Sequence, residues 1–316
     1  MQQLKQETLN GLRRLSSDFE LYAKASLKVR SKSGSVQSLI LNRAQQYIHK
    51  RIEEQRTKTG KVRALILKGR QQGCSTYVEG RLFWRTVWAQ GVRTFILTHE
   101  DAATANLFEM AKRYLEHLPA ELKPSTDASN AKELVFRALD SGYKVGTAGN
   151  KAVGRSATIQ LFHGSEVAFW PNAEEHAAGV LQTVPDEPGT EILLESTANG
   201  LGNFFHQQWQ MAERGEGAFI AIFVPWYWQE EYKRPLADDV ALTAEEQDYS
   251  AAYKLTREQI AWRRDKIAQL GESKFRQEYP ANASEAFQTS GEDSLIKPAD
   301  ILAARKCATA TERGHY

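Results

Sequence analysis

The sequence predicts an α/β fold, with a mostly parallel central sheet flanked by helices and a smaller helical subdomain beside it. Three observations carry that expectation. Short apolar runs at 64–67, 94–97, 158–162, 191–194 and 219–224 alternate with segments of helical spacing, the pattern of strands joined by crossover helices. Hydrophobic residues make up 41% of 316 positions, enough for one sizeable core and an accessory unit. After Trp228 the strand signals stop and helix-opening signatures take over.

Taken in order, the first 25 residues place Leu4, Leu9, Leu12, Leu15 and Phe19 at helical spacing, which predicts one amphipathic helix. The polar stretch 28–35, with Arg30, Lys32 and Gly34, reads as a mobile link. A helix over 76–90 stops at Gly91, and another from about 102 stops before Pro119. Runs at 134–138 and 143–147, joined across Asp140, Ser141 and Gly142, predict a hairpin. Thr243 with Glu246 and Thr256 with Gln259 have capping-box spacing and open two C-terminal helices.

Composition narrows the function classes. Lys and Arg (41) barely outnumber Asp and Glu (39), so the chain is not one that coats nucleic acid by bulk charge, and any such contact is local. Charged residues at 25% and the lack of an internal repeat argue against disorder and against a solenoid. Cys74 and Cys307 lie far apart without a signal peptide, which predicts a reducing, cytoplasmic setting. The apolar run 218–228 falls short of the roughly 20 residues that a membrane span needs. No membrane partner is expected.

Between the strand at 64–67 and the following helix lies Lys68-Gly69-Arg70-Gln71-Gln72-Gly73-Cys74-Ser75-Thr76. A strand, a glycine-containing loop and a helix N-terminus together present N–H groups and a positive dipole end to an anion. Against the phosphate-loop pattern G-x-x-x-x-G-K-[ST], Gly73 and Ser75 match the second glycine and the magnesium-binding hydroxyl. Cys74 stands at the lysine position and Lys68 at the first glycine. Phosphate chemistry requires an ammonium near the β and γ phosphates rather than a lysine at one index, and Lys68 can supply it from the mouth of the loop. Read alone, the segment would pass for an ordinary strand-to-helix turn. A Cys74 thiol at a helix N-terminus near cations is expected to have a lowered pKa, to react readily with a maleimide and to be shielded by ATP.

The strand at 158–162 runs into His163-Gly164-Ser165-Glu166, where Glu166 could polarise an attacking water or be a surface carboxylate, and His163 reads as a hydrogen-bonded packing residue. The strand at 191–194 ends in Glu195-Ser196-Thr197-Ala198-Asn199-Gly200. Small hydroxyl and amide groups at a strand end can sense a γ phosphate and pass the change to a moving loop; a plain turn is the alternative.

In this order the segments resemble those of the large terminase subunit, the DNA-packaging ATPase of tailed double-stranded-DNA bacteriophages, from about residue 41 to about 297. Lys68 to Thr76 is similar to the deviant Walker A loop of some terminases, whose lysine is displaced to the loop's start. The resemblance makes Arg70 a second cation facing the nucleotide, with the duties of Lys68 and Arg70 left undivided. Ser165-Glu166-Val167-Ala168-Phe169-Trp170 resembles the Walker B segment of one terminase branch, with Ser165 in place of the expected Asp. Glu166 is then catalytic and, with Ser75, a magnesium group. The segment from Glu195 to Gly200 resembles the coupling motif, with Thr197 as the relay. Leu41-Asn42-Arg43-Ala44-Gln45 resembles the adenine-recognition segment, with the Gln45 amide on the adenine edge or simply solvated. Gly154-Arg155-Ser156 stands where packaging motors can present an arginine finger to a neighbouring subunit; a structural arginine is the alternative. Phe275-Arg276-Gln277-Glu278-Tyr279-Pro280 and Glu285-Ala286-Phe287 are terminase-like too.

The resemblance implies a RecA-like, ASCE-type P-loop nucleotidase that uses ATP and Mg2+. Residues 1–60 would form an N-terminal helical segment with the adenine region, 61–225 the ATPase core, and 226–316 a helical linker subdomain. Its implied partners are double-stranded DNA, the portal protein, the small terminase subunit and further copies of itself in a homo-oligomeric ring on the capsid. It would act in the host cytoplasm and be absent from the mature virion. A terminase nuclease begins on an apolar strand after the motor, and none is seen before Tyr316, so DNA cleavage is not expected. The alternatives are a helicase or other DNA translocase with the same core, and a catalytically silent nucleotide-binding module.

Overall fold

A computed structural model describes residues 2–126, 128–129, 132–149, 158–237 and 239–288. The chain opens with two helices, α1 (Gln2–Ser17) and α2 (Phe19–Ser26), where one was expected. The break falls at Asp18, whose side chain accepts the Leu21 N–H; aspartate favours a helix start over a helix interior. The stretch expected to be a mobile link instead forms an antiparallel hairpin of β1 (Lys28–Arg30) and β2 (Val36–Ser38), closed by the Ser31 N–H on the Ser35 carbonyl.

Helix α3 (Arg43–Thr59) then leads into β3 (Val62–Lys68), α4 (Cys74–Val87), β4 (Arg93–Thr98) and α5 (Asp101–Glu116). The strands β5 (Ala128–Ser129), β6 (Glu133–Phe136), β7 (Ser141–Thr147) and β8 (Leu161–Ser165) follow. After them come α6 (Ala173–Leu181), β9 (Glu191–Ser196), α7 (Phe204–Glu213) and β10 (Ile220–Val224). They build one eight-stranded sheet in the order β10-β3-β9-β8-β4-β7-β6-β5, parallel from β10 to β7 and antiparallel at the β6 and β5 edge. This is the RecA-like architecture expected. The β6–β7 hairpin is present too, but its connection is a short 3-10 turn over Arg137–Leu139, with Asp140 at φ +47°.

Alternate residues of β3 divide between two cores: Ala64 and Ile66 pack with α2 to α5 on one face, Leu65 and Leu67 with α6 and α7 on the other. Both faces of the sheet are therefore covered, which is why parallel strands read as unbroken apolar runs. Two strands sit differently from the expectation. The run expected at 158–162 pairs at Leu161–Ser165, and the one at 191–194 continues to Ser196. The extra residues, His163, Gly164 and Ser165 in one and Glu195 and Ser196 in the other, are not apolar yet are buried, so apolar patterning stops before pairing does.

Beyond Val224 the chain forms α8 (Ala244–Tyr253), α9 (Arg257–Leu270), α10 (Glu272–Glu278) and α11 (Ala283–Ala286), with both capping boxes in place. A third cluster, built on Trp226, Tyr232, Trp262 and Phe275, holds α8, α9 and α10 together, while α11 packs through Ala286 in the second. No helix among the described residues is long and apolar enough to cross a membrane.

Candidate nucleotide site

The C-terminal ends of β3, β9 and β8 lie side by side because the register sets Leu67 against Ser196 and Ser165 against Glu195. The loop after β3 and the turns after β8 and β9 thereby enclose a cleft of about 560 Å³, lined among others by Lys68, Arg70, Ser75, Glu166 and Thr197. A cleft outside the carboxyl ends of parallel strands is where open α/β sheets bind ligands. Helix α4 opens from Gly73 at φ +75° with no side-chain cap, which leaves its first N–H groups facing an anion position.

Five side chains form the centre. The Lys68 ammonium donates to Glu166 Oε1 at 2.7 Å and lies 2.8 Å from Glu195 Oε2. Ser75 Oγ and Ser165 Oγ donate to Glu195 Oε1 at 2.7 and 2.8 Å. Burial alone would lower the Lys68 pKa, but Glu195 and Glu166 outweigh it and hold the amine well above its ordinary value, so Lys68 stays charged. Burial would likewise raise Glu195, yet Lys68 and His163 pull it far below the usual carboxylate range. Glu166 Oε2 accepts the Thr197 N–H at 3.3 Å, a direct link between the turn after β8 and the segment after β9.

His163 is the buried, hydrogen-bonded residue expected, and its partners lie at the site. Fully buried, it donates from Nδ1 to Glu79 at 2.5 Å and points Nε2 at Glu195 Oε1, 3.4 Å away. Burial works against its charged form, but contacts with Glu195 and Glu79 raise its pKa to about 9. Glu79 accepts in addition from the Tyr143 hydroxyl.

The loop residues are held from outside the cleft. Gln72 donates to the Trp226 carbonyl, Gln229 to the Gln71 carbonyl and Tyr232 to the Arg70 carbonyl. A Cβ on Gly69 would sit 3.2 Å from Trp226 Cα, so the loop and the aromatic segment approach backbone to backbone. Arg70 is largely exposed, with its guanidinium 3.6 Å from Glu278, while Thr76 lines the cleft from α4. Gln45 differs from expectation: its Oε1 accepts the Asn42 N–H in a capping box, and its Nε2 donates to the Gly73 carbonyl. Its amide therefore braces the loop instead of facing the cleft. Cys74 also reverses its expectation, since burial pushes its thiol up to about 12 and the carboxylates of Glu195 and Glu166 add to that, against the pull of Lys68. Arg155 lies outside the described residues.

Among the described residues no group of three or more His, Cys, Asp or Glu could hold a metal unaided. Ser75, Glu166 and Glu195 nonetheless bring hard oxygen donors to one place, the set that suits magnesium when phosphate oxygens complete its shell. Sequence reasoning passed over Glu195 as a site residue, and over His99, Glu100 and Phe169 in the cleft wall. For Glu195 the available signal was an acidic residue directly after the apolar run 192–194 at a strand end.

No protein-family model matches the chain, and no curated protein does. Among solved structures it superposes on the large terminase of bacteriophage HK97 with a TM-score of 0.60 at 12% identity, over 84% of this chain and 54% of that one. The ATPase domain of the Thermus phage P74-26 large terminase gives 0.54 at 16% identity, over 77% and 93%. The chain has the fold of a large terminase ATPase domain. An arginine-to-alanine mutant of the Thermus phage domain agrees, at 0.55 and 17% identity over 77% and 94%. This terminase-like chain spans about half the length of the HK97 protein and nearly all of the Thermus phage domain. At such identities the likeness concerns the fold, and the roles of terminase-like residues rest on the site's own geometry.

Proposed function

We propose that this chain is the ATP-hydrolysing motor of a phage large terminase, driving double-stranded DNA into a procapsid in the host cytoplasm. The observation that supports the reading best is the convergence of Lys68, Ser75 and Glu166 at the uncapped N-terminus of α4. The N–H groups of the loop and of α4 would cradle the phosphates, and Lys68 would leave its carboxylate partners to neutralise their charge. Glu166 would then be free to orient and polarise the attacking water. Its hydrogen bond from the Thr197 N–H offers a route by which the loss of the γ phosphate reaches the following segment. Magnesium, when bound with ATP, would offset charge on the transferring phosphoryl group, and Ser75 and Glu166 are the residues this reading assigns to it.

Portal, small terminase subunit and a ring of identical subunits are the partners of this reading, with Arg155 acting on a neighbour's nucleotide and 226–316 linking motor to nuclease in the intact assembly. The test is phosphate release by purified protein with and without double-stranded DNA, for the parent and for Glu166→Gln. The expected outcome is DNA-stimulated release by the parent, and nucleotide binding without release by the variant. A variant that turns over ATP within a few-fold of the parent would remove Glu166 from catalysis. A parent that binds ATP and never hydrolyses it would favour a silent nucleotide-binding module, the reading that Cys74 and Ser165 at motif positions suggest. Strand separation by the parent would point to a helicase.

A further inference from the structure

We propose that Glu195, on the strand beside the acidic strand, is the carboxylate that supports magnesium at this site, in the role that Ser165 cannot fill; the inference rests on the ATPase reading above. Ser165 and Glu195 are register partners in a parallel pair, so their side chains leave the same face of the sheet next to each other. A carboxylate absent from the end of β8 is thereby restored one strand over, with the longer glutamate reaching back across the gap. The contact is direct, because Ser165 Oγ donates to Glu195 Oε1 at 2.8 Å.

The two oxygens of Glu195 have different surroundings. Oε1 is fixed by Ser75 and Ser165, with His163 behind them braced by Glu79. Oε2 is buried and, among the described residues, has only the Lys68 ammonium 2.8 Å away. Once Lys68 turns to the phosphates, Oε2 loses that partner, with His163 remaining on the Oε1 side only, and a buried carboxylate oxygen left unpaired is costly. A divalent cation beside Ser75 would take up the compensating role, and Ser75 is already in hydrogen-bond contact with this carboxylate. Glu195 then takes over the share of the metal that the proposed function gives to Glu166, which leaves Glu166 for water.

The test measures a fluorescent ADP analogue bound with magnesium and, separately, in EDTA. In the parent, magnesium should tighten binding. In Glu195→Gln the ratio of the affinity with magnesium to the affinity in EDTA should fall by at least about ten-fold. Adding Ser165→Asp to Glu195→Gln should recover part of the magnesium dependence by returning a carboxylate to β8. Glu195→Asp keeps the charge and carries the same comparison, with an intermediate loss, should the glutamine variant fail to fold by circular dichroism. Equal weakening with and without magnesium, or unchanged magnesium dependence, would overturn the inference and leave Glu195 structural. A parent that binds no nucleotide under either condition would overturn the ATPase reading and this inference together.

Discussion

Glu166 sits in the left-handed region at φ +52°, a conformation that disfavours a residue with a Cβ by roughly 1–2 kcal/mol. Its carboxylate is held there by Lys68 and by the Thr197 N–H, so the strained backbone turns the carboxylate toward the cleft. Two residues earlier the constraint is space. A Cβ on Gly164 would meet Leu194 Cδ2 at 2.7 Å and the Trp170 ring at 3.0 Å. Gly164→Ala should therefore destabilise the protein by about 1–3 kcal/mol, read as a lower denaturant midpoint. Cys74 gives a second residue-scale prediction. With its thiol buried and its pKa pushed up to about 12, it should label slowly with a maleimide in the folded protein, with or without ATP, and quickly in urea. Peptide mass locates the adduct, and fast labelling of native Cys74 would contradict the packing described.

At the scale of elements, the helical unit after Val224 is stabilised by its caps and by stacked rings. Glu246 closes the capping box of α8 and accepts two hydrogen bonds from Arg264, each at 2.5 Å. Those bonds, led by Arg264, lower its pKa to about 2. Because the folded value lies below the unfolded carboxylate value of about 4.3, the contribution is present above that pH and is lost as pH falls through about 2. Glu246→Gln should be less stable than the parent by about 1–2 kcal/mol at pH 7, with the gap narrowing below pH ~4.3. Urea melts across that range measure it. Trp262 stacks between Tyr232 at 4.2 Å and Trp226 at 5.2 Å. Trp262→Ala should destabilise by about 3–5 kcal/mol and also weaken nucleotide binding, although Trp262 does not line the cleft. Both Trp226 and Tyr232 hold the phosphate loop by hydrogen bonds, so loosening their packing loosens the loop.

Across the whole molecule the helical unit touches both moving parts of the proposed cycle. It grips the phosphate loop through the Arg70 N–H on the Glu278 carbonyl, and the coupling segment through Gln277 on the Ala198 carbonyl. Both contacts are made by α10, whose Phe275 packs in the third cluster. If the motor works as a ring with Arg155 acting across subunits, Arg155→Ala should bind ATP normally yet hydrolyse poorly when assembled. Mixing it with Glu166→Gln should then restore part of the activity at mixed interfaces, measured as phosphate release against mixing ratio. No complementation at any ratio would count against action in trans.

The alternation of strands and helices through the main sheet, the capping boxes of α8 and α9 and the loop from Lys68 to Thr76 were legible in the sequence, since periodicity, caps and glycine punctuation are local in the chain; the helix break at Asp18 and the hairpin of β1 and β2 were not. The sequence also singled out Ser75, Glu166 and Thr197, which the structure brings to one cleft. Only the tertiary structure decided what lies between them. That Glu195 stands beside Ser165, and His163 behind Glu195, depends on the register of β8 against β9, which no local pattern states. The turning of the Gln45 amide onto the loop and the burial of the Cys74 thiol were likewise settled by packing. A side chain's hydrogen-bond partner and its dielectric surroundings come from residues distant in sequence, and those set its chemistry.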